Sequence, residues 1–164
     1  MTKYKVVDNF LPTSSFKEIL NITLDGNTDW HLANNVSGVG TEETPDFYFV
    51  HKLYEARSPI SRLYDLVDEN LLSQLDIKAL LRVKLNLYPN IGQRYYSERH
   101  IDYEFEHTGA IFYLNTCNGP TVLEDGTEID AVANRILFFD ASKPHNSVHA
   151  TDAKQRFNIN INYL

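Results

Sequence analysis

Cysteine is all but missing from this chain: Cys117 stands alone, so no disulfide can form within it. No window approaches the roughly 20 apolar residues that span a bilayer, and Met1-Thr-Lys-Tyr-Lys-Val-Val7 lacks the apolar run of a secretory signal. A cytoplasmic protein with no membrane partner is expected, which makes the glycosylation-type triplet Asn35-Val-Ser37 a chance match. Basic residues are in deficit, 15 Lys plus Arg against 22 Asp plus Glu, for a net charge of -7. Such a surface repels phosphate backbones, so general nucleic-acid binding is not expected. There is no internal repeat and no low-complexity segment.

What is present suits a folded domain. A chain of 164 residues, 43% hydrophobic, can bury one core but has no room for a second of similar size. A single domain over 1-164 is expected, its first part, 1-79, holding strands, helices and a long loop, and its second, 80-164, holding the chemistry. Tyr4 to Leu11 reads as a strand, and Pro12-Thr-Ser-Ser15 offers capping hydroxyls to a helix carrying Phe16, Ile19, Leu20 and Ile22. Residues 25-46 are polar and aperiodic, a loop long enough to be a lid over a site, with Trp30, His31 and Gly38-Val-Gly40 as candidate contacts. A strand over 47-54 and a proline-opened helix over 59-75 follow.

From residue 81 the period becomes two. Leu81, Val83, Leu85 and Leu87 face one way and Arg82, Lys84, Asn86 and Tyr88 the other. The final segment repeats the division: Phe157, Ile159, Ile161 and Tyr163 against Arg156, Asn158, Asn160 and Asn162. Between them, 108-115, 121-123 and 135-139 read as strands, with a turn at Asp125-Gly126. Strands apolar on one face and polar on the other predict a mainly β (α+β) sandwich or barrel with a polar interior and helices behind one sheet.

Chemistry concentrates in His100-Ile101-Asp102, Pro144-His145 and Arg156. Two imidazoles and a carboxylate suit a non-haem Fe(II) site with open coordination positions. If residues 100-102 lie on a strand, His100 and Asp102 share a face and a later strand supplies His145. A nearby arginine suits an anionic cosubstrate, its planar fork bonding both oxygens of a carboxylate. A divalent ion, Asp102, Arg156 and a doubly charged keto acid balance in formal charge, which lowers the cost of burying them together.

In the segments LNLYPNIGQRYYSERHIDYE, GAIFYLNT, ANRILFFDASKPHNSVHA and RFNINI, covering roughly residues 80-164, the chain resembles the Fe(II)- and 2-oxoglutarate-dependent dioxygenases, most closely those of the prolyl 4-hydroxylase type. The resemblance implies a double-stranded β-helix, or cupin-like jelly roll. It implies iron held by His100, Asp102 and His145, and 2-oxoglutarate anchored by Arg156 with help from Tyr113 and Tyr88. It further implies hydroxylation of a C-H bond with O2, release of succinate and CO2, and ascorbate as a candidate reductant. The substrate would be a peptide, protein or small molecule, with a peptidyl proline as the candidate. The stretch from Gly92 to His100 is longer than the usual pattern, leaving open whether Tyr95 or Tyr96 lines the pocket.

Other assignments compete. His149 is a rival to His145; on one strand the two would sit about 13 Å apart and could not share an ion. Lys84 is an alternative carboxylate anchor, or pairs with an acid, or points to the rim. Asn158 either bonds the cosubstrate or satisfies its neighbours. His31, His51 and His107 lack a partner at ligand spacing, Glu104 and Glu106 read as rim charges, and Cys117 in a turn offers no nucleophilic pairing. A zinc hydrolase with Glu98 as base would use the same three ligands and leave Arg156 and Tyr113 idle. A non-catalytic β-sandwich serving as a binding or assembly module is the third reading.

Overall fold

Alternating polarity builds most of this molecule. The computed structural model describes residues 3–34 and 45–164. Its larger sheet has eight strands: β1 (Tyr4–Val7), β2 (His31–Ala33), β3 (Tyr48–Glu55), β4 (Ser58–Pro59), β5 (Leu80–Pro89), β6 (Thr108–Tyr113), β9 (Ile136–Asp140) and β11 (Gln155–Tyr163). They lie in the order β1-β9-β6-β11-β5-β3-β2, with β4 paired to β3. The second sheet is β10-β7-β8, formed by β7 (Cys117–Val122), β8 (Glu128–Ala131) and β10 (Asn146–Ser147). All these pairings are antiparallel. Two stacked antiparallel sheets with helices behind the larger give the expected jelly roll.

The register of β11 on β5 sets the two faces. Arg156 opposes Tyr88, Asn158 opposes Asn86, Asn160 opposes Lys84 and Asn162 opposes Arg82. The alternate residues Val83, Leu85, Phe157, Ile159 and Ile161 turn to the other side. There they pack with Ile19 of α1 (Thr13–Thr23) and Val67 of α2 (Tyr64–Asn70), forming one core between sheet and helices. A second core lies between the sheets, where Ile111, Leu137 and Phe139 meet Leu123, Ile129 and Ala131. No helix among the described residues is long and apolar enough to cross a membrane.

Several local expectations give way. The helix expected over 59-75 is two short pieces, α2 and a 3-10 turn at Leu72–Gln74, because Ser58 and Pro59 belong to a hairpin. That hairpin turns through Ala56 and Arg57, both at positive φ (52° and 65°), the geometry of a tight type I′ turn that usually announces itself with Asn-Gly. Helix α1 starts at Thr13 with no side-chain cap, so the Thr-Ser-Ser hydroxyls lie within its first turn. Cys117 is buried at the start of β7, not in a turn. Strands β2, β4, β8 and β10, of two to four residues, are too short to show a period.

Candidate metal and cosubstrate site

The three proposed metal ligands come together, though not in the way expected. His100 and Asp102 are not on a regular strand. A backbone exchange at 3.0 Å in each direction between His100 and His145 docks their segment onto the chain leading into β10, and the Asp102 N–H donates to the Ala141 carbonyl at 3.0 Å. The ligand atoms of His100, Asp102 and His145 lie within 4.8 Å of one another. His145 Nδ1 lies 2.9 Å from the Lys143 carbonyl and His100 Nδ1 3.5 Å from that of Glu98. That orientation reserves Nε2 of His145 for the site, 3.9 Å from Asp102 Oδ2.

Electrostatics prepares the set for a cation. Burial, with the neighbouring His145 adding to it, lowers the His100 pKa to about 4. Burial likewise lowers that of His145, against the pull of Asp102. Both rings are therefore neutral near pH 7, the form that binds metals. Burial opposes ionisation of Asp102, but Arg82, Lys84, His145 and the Asn162 amide together outweigh it and hold the carboxyl well below the usual range. Arg82 Nη2 meets Asp102 Oδ1 at 2.5 Å, and Asn162 Nδ2 donates to Oδ2 at 2.8 Å. Arg82 and Asn162 carry no sequence signal beyond their polar-face parity; only the fold brings the 100-102 segment over them.

At the other end of the face, Arg156 is completely buried and bridges the two sheets. Its Nε donates to the Gly119 carbonyl (2.8 Å), one terminal nitrogen to Ser147 Oγ (3.2 Å) and the other to Thr121 Oγ1 (2.8 Å). Among the described residues it has no acidic partner. The rings of Tyr88 and Tyr113 flank the guanidinium, their centroids 5.0 and 5.6 Å from Cζ. Tyr113 Oη shares Thr121 Oγ1 at 2.7 Å, and Tyr88 Oη receives a long 3.4 Å bond from Ser147. Burial raises the pKa of both phenols, which stay protonated donors. Close packing against Arg156 requires glycine at 119, where a Cβ would lie 2.5 Å from the Val148 carbonyl oxygen.

A narrow cavity of about 10 Å³ joins the two ends, lined by Lys84, Asn86, Tyr88, His100, His145 and Asn158 among others. It holds about one water as it stands, so a dicarboxylate displaces side chains along it. Asn158 accepts from Asn86 Nδ2 at 3.3 Å, while its own Nδ2, Asn86 Oδ1 and Asn160 Oδ1 are buried without a partner among the described residues. Unpaired polar atoms along a buried wall are what a polar ligand or ordered water satisfies. A groove of about 940 Å³ elsewhere among the described residues contains none of His100, Asp102 and His145. Chemistry and not size identifies the site.

The competing residues fall elsewhere. His149 is buried between the Pro89 carbonyl (Nδ1, 3.1 Å) and Asp46 Oδ1 (Nε2, 3.2 Å) and is outside the ligand cluster. His51 contacts the Asp29 carbonyl and Ser61 Oγ, at 2.8 and 2.6 Å. His107 contacts the Phe105 carbonyl at 2.9 Å and lies 3.4 Å from Asn162 Nδ2, behind Asp102. His31 is exposed, as are Glu98, Glu104 and Glu106, so the base of the hydrolase reading points to solvent. Neither Tyr95 nor Tyr96 lines the cavity: Tyr95 packs edge-on to His149, and Tyr96 bonds Glu128 at the surface. Lys84 lines the cavity with no ion pair among the described residues. Of the lid contacts, Trp30 packs on Phe157 at 5.7 Å, on the opposite face of the sheet, and Gly38-Val-Gly40 lies outside the described residues.

The fold is that of the Fe(II)- and 2-oxoglutarate-dependent oxygenases, prolyl 4-hydroxylases among them. Against a Pseudomonas putida prolyl-4-hydroxylase the TM-score is 0.64 at 16% identity, over 99% of this chain and 93% of that one. Against a Trichoplax adhaerens prolyl hydroxylase, solved with a hypoxia-inducible-factor degradation-domain peptide, it is 0.66 at 21% identity, over 100% and 84%. A 2OG-Fe(II) oxygenase family protein of Burkholderia pseudomallei gives 0.68 at 10% identity, over 98% and 85%. No protein-family model matches the chain, and no curated protein sequence does so either.

Proposed function

We propose that this chain is an Fe(II)- and 2-oxoglutarate-dependent oxygenase that hydroxylates a substrate C-H bond. The observation that carries the proposal is the pairing, on one polar face, of a neutral-His, ionised-Asp ligand set with a fully buried arginine that has no acidic partner among the described residues. A hydrolytic zinc site has no use for that arginine.

His100, Asp102 and His145 would hold the iron, and three protein ligands leave room for a bidentate keto acid and O2. Bound there, iron supplies the redox chemistry that couples conversion of 2-oxoglutarate to succinate and CO2 with oxidation of the substrate. The protein's residues bind and orient. Each terminal nitrogen of Arg156 keeps one N–H beyond its bond to Ser147 or Thr121, which is the fork a carboxylate requires. Tyr113 and Tyr88 seal that fork from water and Asn158 offers its unpaired amide. Asn162 and Arg82 aim the Asp102 carboxylate. A peptidyl proline is the starting candidate for substrate, since two of the compared structures are prolyl hydroxylases.

The test is anaerobic addition of Fe(II) and 2-oxoglutarate, followed by visible spectroscopy for a metal-to-ligand charge-transfer band. The band is expected in the wild type and in His149→Gln, and lost in His145→Gln. A folded wild-type protein without the band refutes the proposal.

A further inference from the structure

Lys84 is a charge that the proposed anchoring of 2-oxoglutarate by Arg156 leaves without a role. It stands on the polar face of β5 between Arg82 and Asn86, and lines the cavity together with His100 and His145. Arg82 is paired with Asp102 and Arg156 is held by three oxygens, whereas the Lys84 ammonium makes neither hydrogen bond nor ion pair among the described residues. Its Nζ lies 5.8 Å from the centroid of the Tyr48 ring. In the formal balance, a divalent ion, Asp102, Arg156 and 2-oxoglutarate already cancel, so Lys84 and Arg82 leave the loaded site positive. Both carboxylates of 2-oxoglutarate are engaged in that arrangement, one at Arg156 and one at the metal. Asp102 attracts Lys84 through space, but its oxygens are taken by Arg82 and Asn162, so this half-buried cation beside the proposed metal ligands has no anion at ion-pair distance among the described residues and favours a further ligand that brings one.

We propose, resting on the oxygenase reading above, that the substrate bears a carboxylate close to the carbon that is oxidised and that Lys84 binds it. This makes Lys84 a specificity-determining residue and narrows the substrate to acidic molecules. An internal proline in an uncharged peptide does not qualify. A free amino acid offers such a carboxylate on its main chain, and a peptide offers one on an aspartyl or glutamyl side chain.

Paramagnetic relaxation tests this directly. Protein loaded with Mn(II) and saturated with 2-oxoglutarate is titrated with acetate, and with acetamide as the uncharged control, while relaxation of the methyl protons is followed. Saturable enhancement is expected for acetate alone. Acetate affinity is expected to fall at least about tenfold in Lys84→Met and to return in Lys84→Arg. N-acetyl-L-alanine and N-acetyl-L-aspartic acid amide then compete for the site. Stronger displacement by the first assigns the main-chain carboxylate and by the second the side-chain carboxylate, while displacement by neither overturns the proposal and leaves acetate as an adventitious ion only. The proposal is equally overturned if acetate binds Lys84→Met as tightly as wild type, or if the substitution weakens 2-oxoglutarate and spares acetate. Failure of the oxygenase reading shows separately, as no saturable relaxation of the 2-oxoglutarate methylene protons.

Discussion

Replacing Arg82 with methionine should weaken the apoprotein while strengthening its grip on metal. The Arg82–Asp102 pair is 2.5 Å long with side-chain exposures of only 17% and 4%. Removing one partner of a buried pair strands the other, at a cost of roughly 3 to 5 kcal/mol in general, and the surviving bond from Asn162 puts this case at about 3 kcal/mol. For a chain of this length that loss corresponds to a fall of roughly 6 to 12 °C in melting temperature. A divalent ion at Asp102 replaces the missing positive charge, so in the loaded protein the loss should shrink to about 1 kcal/mol. The difference of about 2 kcal/mol appears by linkage as roughly 30-fold tighter metal binding in Arg82→Met. Urea denaturation with and without Mn(II) measures the first quantity, and calorimetric titration of Mn(II) the second. An equal loss in apo and loaded protein, or weaker metal binding in the variant, refutes the idea that Arg82 acts through Asp102.

Arg156→Lys keeps the charge but not the fork, and should weaken 2-oxoglutarate at least about tenfold with Mn(II) affinity unchanged, as read by titration calorimetry. Gly119→Ala places a Cβ 2.5 Å from the Val148 carbonyl and 3.1 Å from Arg156 Cδ, so a loss of about 2 kcal/mol in denaturation and weaker cosubstrate binding are expected together. Acid should loosen the apoprotein in a defined window. His100 drops from 6.5 to about 4 in the folded protein. Its contribution is therefore fully present above pH 6.5 and lost as pH falls toward 4, by up to about 3 kcal/mol, with His145 acting in the same direction. A denaturation midpoint that stays flat from pH 7 to 4.5 contradicts neutral, buried ligands.

How much of this was legible in the sequence follows from the length scale of each signal. The two faces of β5 and β11 could be read because nine or ten residues alternate without a break. That parity alone puts Arg156 on the polar face, opposite Tyr88, where it lies. His100 and Asp102 were expected to share a strand face, yet their convergence comes from two docking hydrogen bonds to His145 and one to Ala141, a long-range event that no local period encodes. For the same reason Arg82 shows only polar-face parity in the sequence: its partner is 20 residues away. The broken helix after Pro59 was hidden by a type I′ turn made from Ala56 and Arg57, residues that carry no turn signature. Lys84 had three open assignments, and what the fold adds is its company with His100 and His145.

Strand β11 is the last in chain order, yet it sits in the middle of the larger sheet, paired to β6 on one side and β5 on the other. Among the described residues it alone links β1-β9-β6 to β5-β3-β2 in that sheet, so there the two halves share no hydrogen-bond ladder until residues 155–163 insert. Folding therefore waits on contacts of high sequence separation, and a slow, highly cooperative closure is expected. Arg156 and Asn162 travel on the same strand. The step that completes the sheet thus delivers the proposed carboxylate fork and the amide that holds Asp102, and a chain stopped before Gln155 would own all three proposed metal ligands without the scaffold that brings them together.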